Sequence, residues 1–245
     1  MSKRVAILGA TSAIAEATAR LYARDGATMV LAGRNSAKLE AIAADLKLRG
    51  AANVRSVTGD LADSTAQDAI FAALSGDGAF DIVLIAYGTL GDQAASQDDP
   101  TATAAMLHGN FISVTGWLIR CTNLMRAKGG TIAVISSVAG DRGRRSNYVY
   151  GAAKGALSRY IEGLQHRFAG TALRVIDIRP GFVDTPMTAG ITKDGPLWTR
   201  PEQVARDIQR AIAKGSPLVY TPWFWRFIML IIRNLPRTIF NRMSV

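Results

Sequence analysis

The chain contains one cysteine, Cys121, and two histidines, His108 and His166. A single thiol cannot close an intrachain bridge, so a disulfide-stapled scaffold is excluded. The same usage suits a reducing compartment. A histidine-based metal site is not expected from so few ligands, and no metal is assigned. Long apolar runs are also lacking. The most apolar stretch, 223–232, already contains Arg226 and falls short of the roughly 20 residues a membrane span needs. At the N-terminus Lys3-Arg4 precedes only a short run, 5–10, which reads as a strand and turn rather than a secretory leader. What is present is ordinary for a globular protein: 245 residues, 49% hydrophobic and 20% charged. That composition excludes intrinsic disorder. Domains run about 100–200 residues, so the length allows one large domain or two small ones.

Acidic residues are scarce in the second half. Residues 1–139 hold 12 Lys+Arg against 12 Asp+Glu, whereas residues 140–245 hold 17 against 7. The whole net charge of +10 therefore sits in the second part, and no acid follows Asp207. A one-sided basic field attracts phosphorylated substrates or anionic lipid, or it only solubilises the surface. Nucleic acid is not expected, because no binding motif accompanies the charge.

Short, almost wholly apolar runs alternate with segments of helical period. Strands are predicted at 4–8, 28–32, 53–57, 81–86, 131–136, 173–178 and 217–220. Helices are predicted at 13–24, 36–49 with Ser36 as N-cap, 65–74, 101–127, 147–169 and 201–213. Strands without polar residues, separated by helices, imply a parallel sheet covered on both faces. The expected fold class is α/β: a single doubly wound, Rossmann-type domain over 1–221 with seven parallel strands. A C-terminal amphipathic helical extension, 222–245, completes it.

The first strand runs into Gly9-Ala10-Thr11-Ser12-Ala13-Ile14-Ala15, and a helix follows. Such a turn places backbone N–H groups and a helix N-terminus against a pyrophosphate. Only Gly9 survives of the three-glycine pattern; Ala13 and Ala15 fill the other places. An ordinary strand–helix turn has the same look. The second strand ends at Gly33-Arg34 with no acid before Glu40. An acid there would take the ribose hydroxyl of NAD, whereas Arg34 suits the 2′-phosphate of NADP. NADP(H) is therefore favoured, with NAD open. Asp60-Leu61, after the third strand, would lie beside adenine, or Asp60 caps the next helix.

Tyr150 and Lys154 are spaced to share one helix face. An ammonium beside a phenol favours the phenolate and lowers its pKa, as a proton donor working near neutrality requires. Ser137 ends the fifth predicted strand, where ligands meet open α/β sheets. Asn110, after Gly109, stands inside a predicted helix as a poor helix former that needs another reason.

With these residues in hand, residues 3–220 resemble the short-chain dehydrogenase/reductase family. Asn110, Ser137, Tyr150 and Lys154 match its catalytic tetrad in type and spacing. Pro180-Gly181-Phe182-Val183-Asp184-Thr185 matches its Pro-Gly segment at the nicotinamide end of the cofactor. Ala86-Tyr87-Gly88 stands where that family usually has Asn-Ala-Gly. The resemblance implies hydride transfer between a nicotinamide and a carbonyl carbon. Tyr150 would move the proton and Ser137 hold the oxygen. Lys154 would lower the Tyr150 pKa and hold the ribose, and Asn110 would order a water. It also implies a homo-oligomer pairing helices 101–127 and 147–169.

Two regions narrow the resemblance. The loop 140–148 carries Arg142, Arg144 and Arg145 at the substrate mouth, where they would clamp a phosphate or solvate a loop. In 222–243, aromatic and aliphatic residues accompany Arg226, Arg233 and Arg237 on one helical stripe, with a break expected at Pro236 and a second short helix from Arg237. That pattern suits a segment lying on a membrane surface, an oligomer contact or a core helix. Together with 87–92 and 136–154 they are similar to the keto-reductases that complete the 2′-epimerisation of decaprenylphosphoryl-β-D-ribose. This implies a ketone on a polyprenyl-phosphate sugar, a flavin oxidase partner, and a cytoplasmic location peripheral on the inner face of the membrane. A soluble, acyl or steroid-like carbonyl substrate is the alternative.

Overall fold

Along the first strand, β1 (Arg4–Leu8), successive side chains pack into opposite layers: Val5 and Ile7 on one side, Ala6 and Leu8 on the other. A strand covered on both faces has little place for a solvated residue, which is why the central strands read as apolar runs, whereas the edge strand 53–58 carries Arg55 and Ser56. The structure, a computed structural model, describes residues 2–193 and 195–243. The last two residues of the predicted 222–245 extension lie outside that description.

The further strands are β2 (Thr28–Gly33), β3 (Asn53–Thr58), β4 (Ile82–Ile85), β5 (Gly130–Ile135) and β6 (Leu173–Pro180). The two-residue pair β7 (Phe182–Val183) and β8 (Trp198–Thr199) stands apart, and β9 (Leu218–Thr221) closes the edge. The main sheet has seven strands, all parallel, in the order β3-β2-β1-β4-β5-β6-β9. The helices are α1 (Ala13–Arg24), α2 (Ser36–Leu48), α3 (Gln67–Ser75), α4 (Gln93–Asp98), α5 (Pro100–Leu107), α6 (Ser113–Met125), α7 (Tyr148–Arg167), α8 (Pro201–Lys214), α9 (Trp225–Asn234) and α10 (Arg237–Phe240). One core layer is closed by Leu39, Ile42, Val204 and Ile208, the other by Trp117, Leu118, Leu157 and Ile161. Each such side chain removed from water contributes about 1.5–3 kcal/mol. From β1 the chain builds outward through β2 and β3, then crosses to β4 on the other side. A crevice opens where the direction reverses, above the carboxyl ends of β1 and β4.

Three expectations are corrected. The cap of α2 is Asn35, whose side chain accepts from the Lys38 N–H at 2.9 Å, rather than Ser36. The third helix begins at Gln67, because Asp63 binds the Thr65 N–H and hydroxyl and holds the preceding residues in a turn. The helix predicted over 101–127 is two helices, α5 and α6, joined by a π-turn over His108–Ile112. Asn110 explains the widening. It is fully buried, and its amide nitrogen donates both to Met106 O (3.1 Å) and to Thr89 O (3.0 Å) on the neighbouring loop. Helix backbone and loop thus share one side chain, and π-turns mark such places.

The C-terminal segment is also revised. Trp225 and Met229 are buried against Val138 and Phe182, so one face of α9 is core. Phe227, Leu230 and Ile231 are exposed on the other, and Trp223 is exposed just before the helix. Leu235 and Pro236 are extended and end the helix at the expected break, and the expected second short helix, α10, begins at Arg237; only the stripe changes, because Arg237 does not continue that of Arg226 and Arg233.

Candidate active site

A cleft of about 950 Å³ lies over the strand ends, and every residue expected to bind cofactor or do chemistry lines it. Its first wall is the β1–α1 turn, with Gly9, Thr11, Ser12, Ala13 and Ile14. Gly9 has φ +85°, and a Cβ there would stand 2.7 Å from Tyr87 Cβ, so the turn and the β4 end meet only through a glycine. Ser12 occupies the N-cap of α1 but its hydroxyl caps nothing, which leaves first-turn N–H groups facing the cleft. Arg34, exposed at the end of β2, lines the same end together with Lys38, whose ammonium donates to Thr11 O at 3.1 Å. Lys38 was not anticipated; its position four residues after Arg34 was the available signal.

Asp60 and Leu61 also line the cleft; Asp60 accepts from the Ala62 N–H at 3.0 Å and holds a turn, but it does not cap the next helix, whose N-cap is Ala66. Ala86, Tyr87 and Gly88 form the floor beside β4. The Tyr87 ring turns into the core, where its hydroxyl shares a 3.0 Å hydrogen bond with Ser113 and lies 3.4 Å from Leu61 O. Gly88 is a close approach as well: a Cβ there would lie 2.6 Å from Asn110 Oδ1.

Asn110, Ser137, Tyr150 and Lys154 converge on the far side of this cleft, from the π-turn, the end of β5 and the first two turns of α7. Lys154 is buried, donates to Ile135 O at 3.1 Å, and lies 5.8 Å from the Tyr150 ring centroid. Burial draws its pKa down to about 8, against the attraction of Asp177, so it remains mainly charged at neutrality. For Tyr150 the outcome differs from expectation. Burial pushes the phenol up to about 12, and the Ser137 hydroxyl beside it only partly offsets this. A phenolate in that wall would lose its solvation, and with the Lys154 ammonium 5.8 Å from the ring centroid and bonded to the Ile135 carbonyl, that loss outweighs the attraction. Tyr150 is a protonated phenol throughout the neutral range.

A buried polar network stiffens this side. Ser136 donates to Asp177, Arg179 Nε donates to Asp177 at 2.8 Å, and Arg179 Nη1 donates to Asp141 at 2.7 Å. Tyr220 donates to Asp141 at 2.7 Å, tying β9 to the loop that follows Ser137. The signal was Asp177 and Arg179, opposite charges two apart in an apolar strand and therefore on one face.

Pro180, Gly181, Val183 and Thr185 line the remaining wall, backed by Trp225. The arginine loop does not act as a threefold clamp. Arg142 turns away to donate to Ile232 O and to Leu235 O (2.8 Å), with its guanidinium 3.8 Å from the Phe240 ring centroid. Arg145 is exposed, and Arg144 alone of the three lines the cleft. Gln93 and Asn147, not anticipated, line the cleft as well.

Comparison with known proteins agrees with this geometry. Residues 3–195 match the family model described as short chain dehydrogenase. The chain is 39% identical over 241 residues to an uncharacterized oxidoreductase of Mycobacterium tuberculosis, covering 98% of this chain and 96% of that one. It is 30% identical over 250 residues to sulfoacetaldehyde reductase of Chromohalobacter salexigens, covering 100% and 94%. Among solved structures, a short-chain dehydrogenase from Sphingobium yanoikuyae in complex with NADPH superimposes with a TM-score of 0.83 at 20% identity, covering 99% and 98%. The chain belongs to the short-chain dehydrogenase family of oxidoreductases.

Proposed function

We propose that this protein is an NADPH-dependent reductase that converts a ketone to an alcohol. The observation that carries the reading is the convergence of Asn110, Ser137, Tyr150 and Lys154 in one cleft with Gly9, Arg34 and the uncapped start of α1. The cleft suits a phosphorylated dinucleotide. The Gly9 turn leaves backbone room, the first-turn N–H groups of α1 match a pyrophosphate, and Arg34 with Lys38 matches a 2′-phosphate. The NADPH in the solved neighbour is in keeping with this. When bound, the nicotinamide supplies a hydride to the carbonyl carbon. Tyr150, a neutral phenol, gives its phenolic proton to the carbonyl oxygen, and Ser137 donates a hydrogen bond to the same oxygen. Lys154 keeps a positive charge beneath the ring, which steadies the phenolate that the transfer leaves. Asn110 holds the loop at Thr89 against the π-turn and so fixes the wall on which Lys154 and Gly88 meet.

The finer reading is that the ketone is on a sugar joined to a polyprenyl phosphate, formed by a flavin oxidase partner, as the second half of a 2′-epimerisation. Its support is Trp223 (72% exposed), just before α9, and the outer face of that helix, with Phe227, Leu230 and Ile231 beside Arg226 and Arg233, in a segment without acids. An apolar, basic face of this kind suits an anionic lipid surface, and hence a peripheral cytoplasmic place on the inner membrane face. No helix among the described residues is long and apolar enough to cross a membrane. Self-association is supported by Ile112 and Ile119, half exposed and seven residues apart along one flank. A soluble, acyl or steroid-like ketone remains the competing substrate.

The experiment is to follow NADPH oxidation with lipid-linked keto-sugars and soluble ketones, alongside sedimentation with anionic liposomes. Turnover of the lipid-linked ketone and co-sedimentation, lost when Trp223, Phe227 and Leu230 become serine, support the finer reading. Turnover of soluble ketones alone, without co-sedimentation, leaves the general reductase. No turnover of any ketone overturns both.

A further inference from the structure

Beyond the tetrad, the cleft holds polar atoms that the reaction does not use. Arg144 Nε and Nη2, Gln93 Nε2 and Asn147 Oδ1 are shielded from solvent and have no hydrogen-bond partner among the described residues. All three residues line the reaction cleft. A native protein seldom leaves buried donors without partners, and a partly shielded guanidinium least of all.

The orientation of Gln93 is fixed. Its Oε1 accepts from the Val149 N–H at 3.0 Å, and turning the amide over would set two donors face to face. The free end is therefore the NH2 group. Arg144 is likewise uncommitted. Asp141, the carboxylate whose charge reaches it, is already bound by Arg179 and Tyr220. Burial lowers the Arg144 pKa, the mark of a cation short of a counter-charge. Asn147 precedes Tyr150 by three residues at the start of α7, a spacing that sets both on one side of that helix. The cluster thus borders the start of α7 that carries Tyr150, with Gln93 bonded at the residue before it.

Resting on the reductase reading above, we infer that Arg144 and Gln93 form a receptor for one oxyanion group of the substrate, while Asn147 accepts a hydrogen bond from a substrate hydroxyl. One guanidinium and one amide match an oxyanion group, such as a phosphate ester or a carboxylate. The site selects ketones that carry such a group together with a hydroxyl, and it orients the carbonyl toward Tyr150.

The test uses the full chain loaded with NADPH. Binding is measured by calorimetry and reduction by NADPH oxidation, for D-ribulose 5-phosphate, 5-keto-D-gluconate and neutral D-ribulose. The variants are Arg144→Gln, Arg144→Lys, Gln93→Ala and, as a control, Arg145→Gln, which is exposed and does not line the cleft. The expected result is tighter binding of at least one anionic ketone than of the neutral one. Arg144→Gln should lose roughly 10- to 100-fold of that affinity, the size of a charge-assisted hydrogen bond, with the neutral ketone unchanged. Lysine should restore part of it, and Arg145→Gln none. Preference for phosphate over carboxylate, or the reverse, identifies which oxyanion the site takes. Equal affinity for charged and neutral ketones overturns the receptor, as does an equal loss for both in Arg144→Gln, which marks a structural role. Anion binding that depends on Arg144, with no reduction of any ketone, upholds the receptor and removes the reductase reading on its own.

Discussion

The indole of Trp225 lies against the backbone of Gly181 and fills the space that a side chain at residue 181 would need. The C-terminal helix α9 is thereby docked onto the Pro180–Gly181 wall of the reaction cleft, and Phe182 meets the same indole edge-on at 5.3 Å between centroids. The extension and the catalytic cleft form one packed unit at this point.

Gly181→Ala should therefore force Trp225 off its seat. The overlap is with ring atoms rather than the end of a flexible chain, so the loss is about 1–3 kcal/mol, typical of overpacking. Urea unfolding checks it. A second change, Trp225→Val, should make Gly181→Ala nearly neutral, because the pair is coupled only through this contact.

Tyr150→Phe removes the phenolic proton while keeping the ring. Turnover of any ketone substrate should fall roughly 10²- to 10⁴-fold, the range for a positioned general acid. Titration of NADPH by nicotinamide fluorescence should change little. A large loss of cofactor affinity would assign Tyr150 a structural role.

Lys154 gives a pH signature. Its pKa in the folded protein is about 8, below its ordinary 10.5, because burial disfavours the charged form. Between those values the unfolded chain binds more protons, so the contribution of Lys154 to stability rises with pH across that window and is flat below it. Lys154→Met should abolish this rise. The measurement is chemical unfolding of both proteins between pH 7 and the tyrosine range, compared as a difference. A difference independent of pH would contradict the buried, depressed lysine.

Arg34→Ser should lower affinity for NADPH roughly 10- to 100-fold and leave NADH nearly unchanged, since one charge-assisted contact to a phosphate contributes about 1.5–3 kcal/mol. Equal losses for the two cofactors would move the phosphate contact elsewhere, with Lys38 the next residue to change.

Arg179→Met would strand Asp141 and Asp177 without their counter-charge in a buried setting. Removing one member of such a group costs about 3–5 kcal/mol. Activity should fall with stability, because Ser136, bonded to Asp177, precedes Ser137 in the chain.

Much of this was legible in the sequence, for identifiable reasons. The seven strands of the main sheet were found within a residue or two because most are covered on both faces and apolar, whereas the two-residue pair β7 and β8 was not expected. The ends of α1 were found because its period begins directly after the glycine turn. Tyr150, Lys154, Ser137 and Asn110 were found by type and spacing. Less legible was the π-turn at Asn110, which depends on Thr89 in a loop far along the chain. The division of the arginines was not legible at all: Arg142, Arg144 and Arg145 are chemically alike and nearly adjacent.

The sequence by itself determined a parallel α/β sheet, a cleft at its switch point and the chemical types of the groups within it. These follow from local rules, the period of apolar residues and the spacing of side chains on one helix. Tertiary structure decided which groups meet what. Burial moved the pKa of Tyr150 up and that of Lys154 down, and the packing of α9 claimed Arg142 and one face of Trp225. The same packing left Arg144 and Gln93 uncommitted in the cleft. Desolvation and contact are properties of the assembled surroundings, and no pattern along one stretch of chain contains them.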